Sequence, residues 1–159
     1  MDSGKRFEQR FASALHELPG ASMRIEDGGA VAKNYQYGDF FYFSDDGNTY
    51  LIECKATRLP SFEVRNLRET QIAMLTRWQE THPQTRHAVI AINFYGDNYR
   101  KENDCLLVTL DAYKQLQARA REAGRASIPR VWLEHVGRTQ VRTREAWALD
   151  FGGLIHGTL

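Results

Sequence analysis

The chain has 159 residues, 42% hydrophobic and 26% charged, enough apolar material for one domain, residues 1–159, with a buried core. No window approaches the roughly 18 apolar residues of a membrane span, and the opening MDSGKRFEQRF lacks the apolar stretch of a secretory leader, so a soluble cytoplasmic protein without a membrane partner is expected. Net charge is only +1, yet residues 114–144 hold eight Lys or Arg against two Glu, an excess that reads either as a solvated face or as a surface for an anionic polymer.

Residues 4–18 place Phe7, Phe11, Leu15 and Leu18 at helical spacing, with Ser3 as the expected N-cap and Pro19-Gly20 as the stop. SMRIED, VAKNYQY, DFFYFS and TYLIECKA follow, rich in aromatic and β-branched residues and punctuated by Gly and Asp, which predicts an antiparallel meander. Pro60-Ser61 is then expected to open a helix over 63–81, striped by Val64, Leu67, Met74 or Leu75, and Trp78, and stopped by His82-Pro83. HAVIAINF, residues 87–94, is apolar throughout, as in a strand buried on both faces. After CLLV comes a helix over about 110–123 closed by Gly124, and RVWLEH reads as a further strand. Past Gly137 the pattern is mixed, strand or arm. Cys54 and Cys105 each sit within an apolar run, as buried free thiols do. This order predicts an α/β fold with a mixed sheet flanked by helices.

One strand breaks its own apolar pattern. In NTYLIECKATRLPSF, Glu53 and Lys55 interrupt Tyr, Leu, Ile and Cys, and strand alternation turns both to one face while Ile52 and Cys54 turn to the other. Asp45, Asp46 and Gly47 fit a three-residue hairpin connection that sets Ser44 opposite Asn48, a register that carries Asp39 across from Glu53. A two-residue Asp46-Gly47 turn would set Asp39 across from Cys54 instead. Opposed carboxylates, with Cβ atoms roughly 4.5 to 5.5 Å apart, repel each other unless something compensates. A divalent cation is one compensation and Lys55 is another. Glu8 flanks the apolar stripe of the first helix. Gln71 falls within the stripe of the second, where a buried amide needs partners: the lysine, a carboxylate, a bound water or a cap.

Taken together, GKRFEQRF with Glu8, YGDFFYF with Asp39, LIECKAT with Glu53 and Lys55, and ETQIAML with Gln71 resemble the PD-(D/E)XK nuclease superfamily, and within it the RecU-like and archaeal-type Holliday junction resolvases. The resemblance covers about residues 4–95 and implies a restriction-endonuclease-like core in αβββαβ order. It further implies a Mg²⁺- or Mn²⁺-dependent endonuclease that nicks opposed strands of branched DNA as a homodimer. On that resemblance Asp39, Glu53 and the Cys54 carbonyl are metal ligands and Glu8 supports them. Lys55 orients or activates the attacking water, and Gln71 steadies Lys55. Gly38 stands where the family motif has Pro.

Phosphate contacts are expected from Arg6, Lys33, Arg58, Arg65 and Arg68, because cationic side chains dominate affinity for a nucleic-acid backbone. Two alternatives stand beside a junction resolvase: the same nuclease core with a repair, restriction or phage DNA target, and a DNA-binding module that has kept the fold without catalysis.

Overall fold

The computed structural model describes residues 2–26, 38–96 and 103–156; VAKNYQY and Lys33 lie outside them. Helix α1 (Ser3–His16) leads into strands β1 (Ala21–Arg24), β2 (Phe40–Phe43) and β3 (Thr49–Thr57). A short strand β4 (Ser61–Glu63) and a 3₁₀ turn (Val64–Asn66) precede helix α2 (Glu69–Thr81). Strands β5 (Arg86–Tyr95) and β6 (Asn103–Thr109), helix α3 (Leu110–Glu122), strand β7 (Ser127–Pro129) and helix α4 (Arg130–Val136) follow. The chain closes with β8 (Arg138–Thr139), β9 (Val141–Arg142), β10 (Trp147–Ala148) and α5 (Phe151–His156). Among the described residues no helix is long and apolar enough to cross a membrane.

The main sheet has the order β1-β2-β3-β5-β6-β8, with β3 and β5 parallel and the other pairs antiparallel. A parallel pair needs a crossover, and α2 supplies it, packed on one face of the sheet with α3 and α4. The opposite face carries α1 and α5, where Phe7, Phe11 and Leu15 meet Phe40, Ile52, Cys54 and Trp147. Burying each such aromatic or Leu side chain contributes about 1.5–3 kcal/mol. Both layers meet on β5, whose Ala88 to Phe94 are buried throughout, as its largely apolar sequence predicts; the one polar residue among them, Asn93, donates to Asn103 and to the Asp104 carbonyl. Both cysteines are buried free thiols.

Three expectations need correction. The second helix starts at Glu69 rather than 63, because Ser61–Glu63 pairs with Ser127–Pro129 and buries Phe62 against Tyr113. That partner lies more than sixty residues downstream, so no local pattern announces it. RVWLEH is helix α4, not a strand: Pro129 precedes it, Arg130 and Glu134 form an i, i+4 ion pair at 3.0 Å, and Leu133 is its buried residue. The first helix is capped by Asp2, whose carboxylate accepts the Lys5 N–H at 2.8 Å, rather than by Ser3.

The hairpin between β2 and β3 uses the three-residue connection. Gly47 N–H donates to the Ser44 carbonyl, Ser44 N–H to the Asn48 carbonyl, and Gly47 has φ +88°. Pairing then runs from Phe43 with Thr49 to Phe40 with Ile52, the register expected. At Asp39 it departs. The Asp39 N–H bonds at 2.8 Å to the carbonyl of Ile52, the residue Phe40 already faces, so two residues of one strand oppose one of the other. Gly38 allows this. Its φ is +151°, and a Cβ there would lie 3.0 Å from Leu51 Cδ1 and 3.1 Å from the Ile52 carbonyl oxygen. Gly38→Ala is therefore expected to cost about 1–3 kcal/mol in urea unfolding; a loss within error would show that the bulge does not depend on this glycine.

Candidate active site

Strand β3 outruns its neighbour. Its pairing with β2 ends at Ile52, whereas its pairing with β5 continues to Thr57, so, among the described residues, 53–57 have a strand on one side only. A buried peptide N–H on the open side needs another acceptor. The Asp39 carboxylate provides it, taking the Cys54 N–H on Oδ2 at 2.7 Å. The N–H and C=O of one strand residue point the same way, so the Cys54 carbonyl lies along this open edge as well.

Leu51 packs in the α2 layer and Ile52 and Cys54 in the α1 layer, so alternation sends Glu53 and Lys55 toward α2. Glu53 is only 6% exposed. Its Oε1 receives Gln71 Nε2 at 2.9 Å and stands 3.2 Å from Lys55 Nζ. Gln71 Oε1 accepts the Arg68 N–H at 3.0 Å, which caps the start of α2 and fixes the amide with its nitrogen toward the carboxylate. Of the partners open to Gln71, the carboxylate and the helix cap are the two it takes.

Electrostatics mark the carboxylates as strained. Burial, then the nearby charge of Glu53, pushes the Asp39 carboxyl up to about 7, against the Cys54 N–H, Lys55 and Arg24. Burial also raises Glu53, opposed chiefly by Lys55 and further raised by Glu8. Glu8 itself pairs with Arg24 at 2.8 Å across the α1–β1 junction. Arg24 was not among the residues expected from sequence. Its register to Phe40 depends on a connection of fifteen residues between the strands, and no turn type fixes that.

The expected phosphate contacts scatter. Arg6 and Arg58 are exposed, the latter with its guanidinium 5.9 Å from the Tyr95 ring. Arg65 bonds Glu63, and both Arg65 and Arg68 precede the first residue of α2. Lys33 is outside the described residues. Much of the basic excess in 114–144 is balanced by acids elsewhere: Arg121 by Glu69 at 2.7 Å, Arg130 by Asp104 at 2.6 Å, and Arg138 by Asp150 at 3.6 Å.

Among the described residues no group of three or more His, Cys, Asp or Glu side chains gathers as a metal site. Two mutually repelling carboxylates and a strand-edge carbonyl nevertheless fit a hard cation that keeps several waters, as Mg²⁺ does. Nitrogen- and sulfur-seeking ions find no such donors here, since Cys54 turns its thiol into the α1 core.

A solved structure from Archaeoglobus fulgidus, the Holliday junction resolvase Hjc of an archaeal hyperthermophile, is similar to this chain with a TM-score of 0.51 and 14% identity, covering 70% of this chain and 75% of that one. The likeness is one of fold, and the fold is the restriction-endonuclease-like mixed sheet expected. No protein-family model matches the chain, and no curated protein matches it in sequence.

A raised carboxyl makes a stability prediction for the metal-free protein. Asp39 titrates near 3.8 when unfolded and at about 7 when folded, so between those values the folded chain holds a proton that the unfolded chain has lost. Stability contributed by the protonated form is present below the lower value and disappears as pH rises through the upper one. Asp39→Asn, which mimics the protonated form, should melt at least about 3 °C above wild type at pH 8 and close to it at pH 4. Equal melting at pH 8 would show that the buried charge carries no such cost.

Proposed function

We propose that this chain is a divalent-metal-dependent endodeoxyribonuclease that resolves four-way DNA junctions by paired nicks, acting as a homodimer in the cytoplasm. The observation that carries the reading is the carboxylate pair at the open edge of β3, with Lys55 and Gln71 both attached to its buried member. The fold shared with an archaeal Holliday junction resolvase points to the same class of substrate.

In this reading Asp39, Glu53 and the Cys54 carbonyl hold Mg²⁺ or Mn²⁺, and Glu8 adds negative charge behind them. The bound ion supplies a more acidic water and offsets charge on the transferring phosphoryl group. Lys55 places its ammonium 3.2 Å from Glu53 and orients the attacking water. Gln71 positions Glu53 and thereby Lys55, because its amide is anchored to the helix start. Arg6, Lys33, Arg58, Arg65 and Arg68 contact phosphates flanking the cut.

A nicking assay on a synthetic four-way junction, a linear duplex and a flap, each with Mg²⁺, tests this directly. Wild type should cut the junction in preference to the others. Asp39→Asn and Glu53→Gln should abolish cutting while leaving junction binding largely intact, and Lys55→Ala should slow it by about 10²–10⁴-fold. Preference for duplex or flap would assign the same core to another DNA target, and full activity in either carboxylate variant would remove the metal-site assignment. Binding with no cutting of any substrate would leave a silent DNA-binding module.

A further inference from the structure

Ion pairs with distant acids leave two arginines of the basic 114–144 segment unmatched. Arg119, in the last turn of α3, and Arg125, just beyond it, are both exposed, and among the described residues no ion pair or hydrogen bond engages either side chain. An aromatic ring holds them instead. The Arg119 Cζ stands 3.8 Å and the Arg125 Cζ 5.6 Å from the ring centroid of Trp132 on α4, and that ring is partly buried against the core of the α2 layer.

A guanidinium laid over a ring uses its face and keeps its edge. Its five N–H groups lie in its own plane, so the contact with Trp132 leaves them able to donate. The ring also restrains a long side chain whose ordering would otherwise oppose binding. Elsewhere in the molecule the same contact comes with an acceptor: Arg24 over Phe40 bonds Glu8, Arg86 over Trp78 bonds the Trp78 carbonyl, and Arg130 over Phe94 bonds Asp104. Arg119 and Arg125 instead turn two ordered, charged donor edges to solvent, which suits the oxygens of a carboxylate or a phosphate.

Position decides between these. Arg125 lines, with Arg65, Arg68 and Arg121, a cavity of about 750 Å³ between the start of α2 and the end of α3. Arg68 has its N–H held by the same Gln71 that bonds Glu53, and its charge acts on Glu53. Arginines thus run from the carboxylates past the start of α2 to Trp132, all on one side of the sheet; Glu63 and Glu69 interrupt them but are paired with Arg65 and Arg121. An acidic protein segment would meet such a surface at one place. A DNA duplex, with one negative charge per about 1.7 Å of its axis, follows it outward from the cut.

We propose that Arg119 and Arg125, ordered by Trp132, grip backbone phosphates of a DNA arm that leaves the cut site across α3. The proposal rests on the nuclease reading and adds to it a sequence-independent contact away from the chemistry. Arg142 and Arg144, also in the basic segment, belong to the β9–β10 hairpin beside α1 and lie outside this surface.

Binding of a four-way junction, measured by anisotropy without divalent ion across about 50–200 mM salt, tests it. Each phosphate contact contributes about 0.9 to the slope of log affinity against log salt, so Arg119→Gln with Arg125→Gln should reduce the slope by about 1.8 and weaken binding at least about tenfold at the low-salt end. Arg142→Gln with Arg144→Gln removes the same charge from the other side of the sheet and should leave the slope, and nicking with Mg²⁺, unchanged. An unchanged slope in the first pair would overturn the assignment to DNA even while wild type nicks the junction. An equal fall in both pairs would overturn it too, because net charge alone would then be read. If wild type neither binds nor nicks the junction or a linear duplex, the nuclease reading fails and this surface falls with it.

Discussion

A strand that extends past its neighbour leaves peptide groups facing a gap, and in a buried sheet that gap must be filled by something other than backbone. Here β3 outruns β2 at Ile52, and the side chain of Asp39 takes the place of a strand partner by accepting the Cys54 N–H at 2.7 Å. The rest of the site follows from this substitution. The carboxylate is drawn toward the position where Glu53 emerges, and the charge of Glu53, after burial, strengthens its hold on a proton. Gly38 permits the approach, because any side chain at that position would press on Leu51 and the Ile52 carbonyl.

Helix α2 then locks the second carboxylate. The crossover demanded by a parallel β3–β5 pair lays its start over Glu53, and Gln71 reaches both the helix's own first turn and the carboxylate. A residue that caps a helix and positions a buried charge couples the stability of one to the geometry of the other. Loosening the start of α2 therefore loosens Glu53 and, through it, Lys55. Arg24 and Glu8 form a second, more exposed brace on the α1 side, and their charges act on opposite members of the pair.

Much of this arrangement was legible in the residues. The hairpin DDGN fixed the register by its own turn geometry, the alternation of LIECK separated Glu53 and Lys55 from Ile52 and Cys54, and the apolar run at 87–94 announced a central strand. What escaped was non-local. The bulge at Asp39 arises only because β2 ends where β3 does not, and the β4–β7 pair joins segments more than sixty residues apart, converting the expected helix start into strand. RVWLEH is a short apolar run of strand length, yet Pro129 before it and the Arg130–Glu134 pair within it favour a helix with one buried residue. Arg24 was invisible for a related reason: its place beside Glu8 is set by packing of α1 on β1, not by any local pattern.

The half-buried Asp39 carboxylate stands close enough to the buried Glu53 for their charges to conflict, and a proton or a cation relieves that conflict. Calorimetric titration with Mn²⁺ in two buffers of different ionisation enthalpy measures that competition directly, without DNA. At pH 6.5 a single ion should bind and release on the order of half a proton or more, because the Asp39 carboxyl stands at about 7; release should fade by pH 8.5, and Glu53→Gln should weaken the ion's hold sharply. Millimolar Mn²⁺ that neither binds nor displaces a proton at any of these pH values would contradict it.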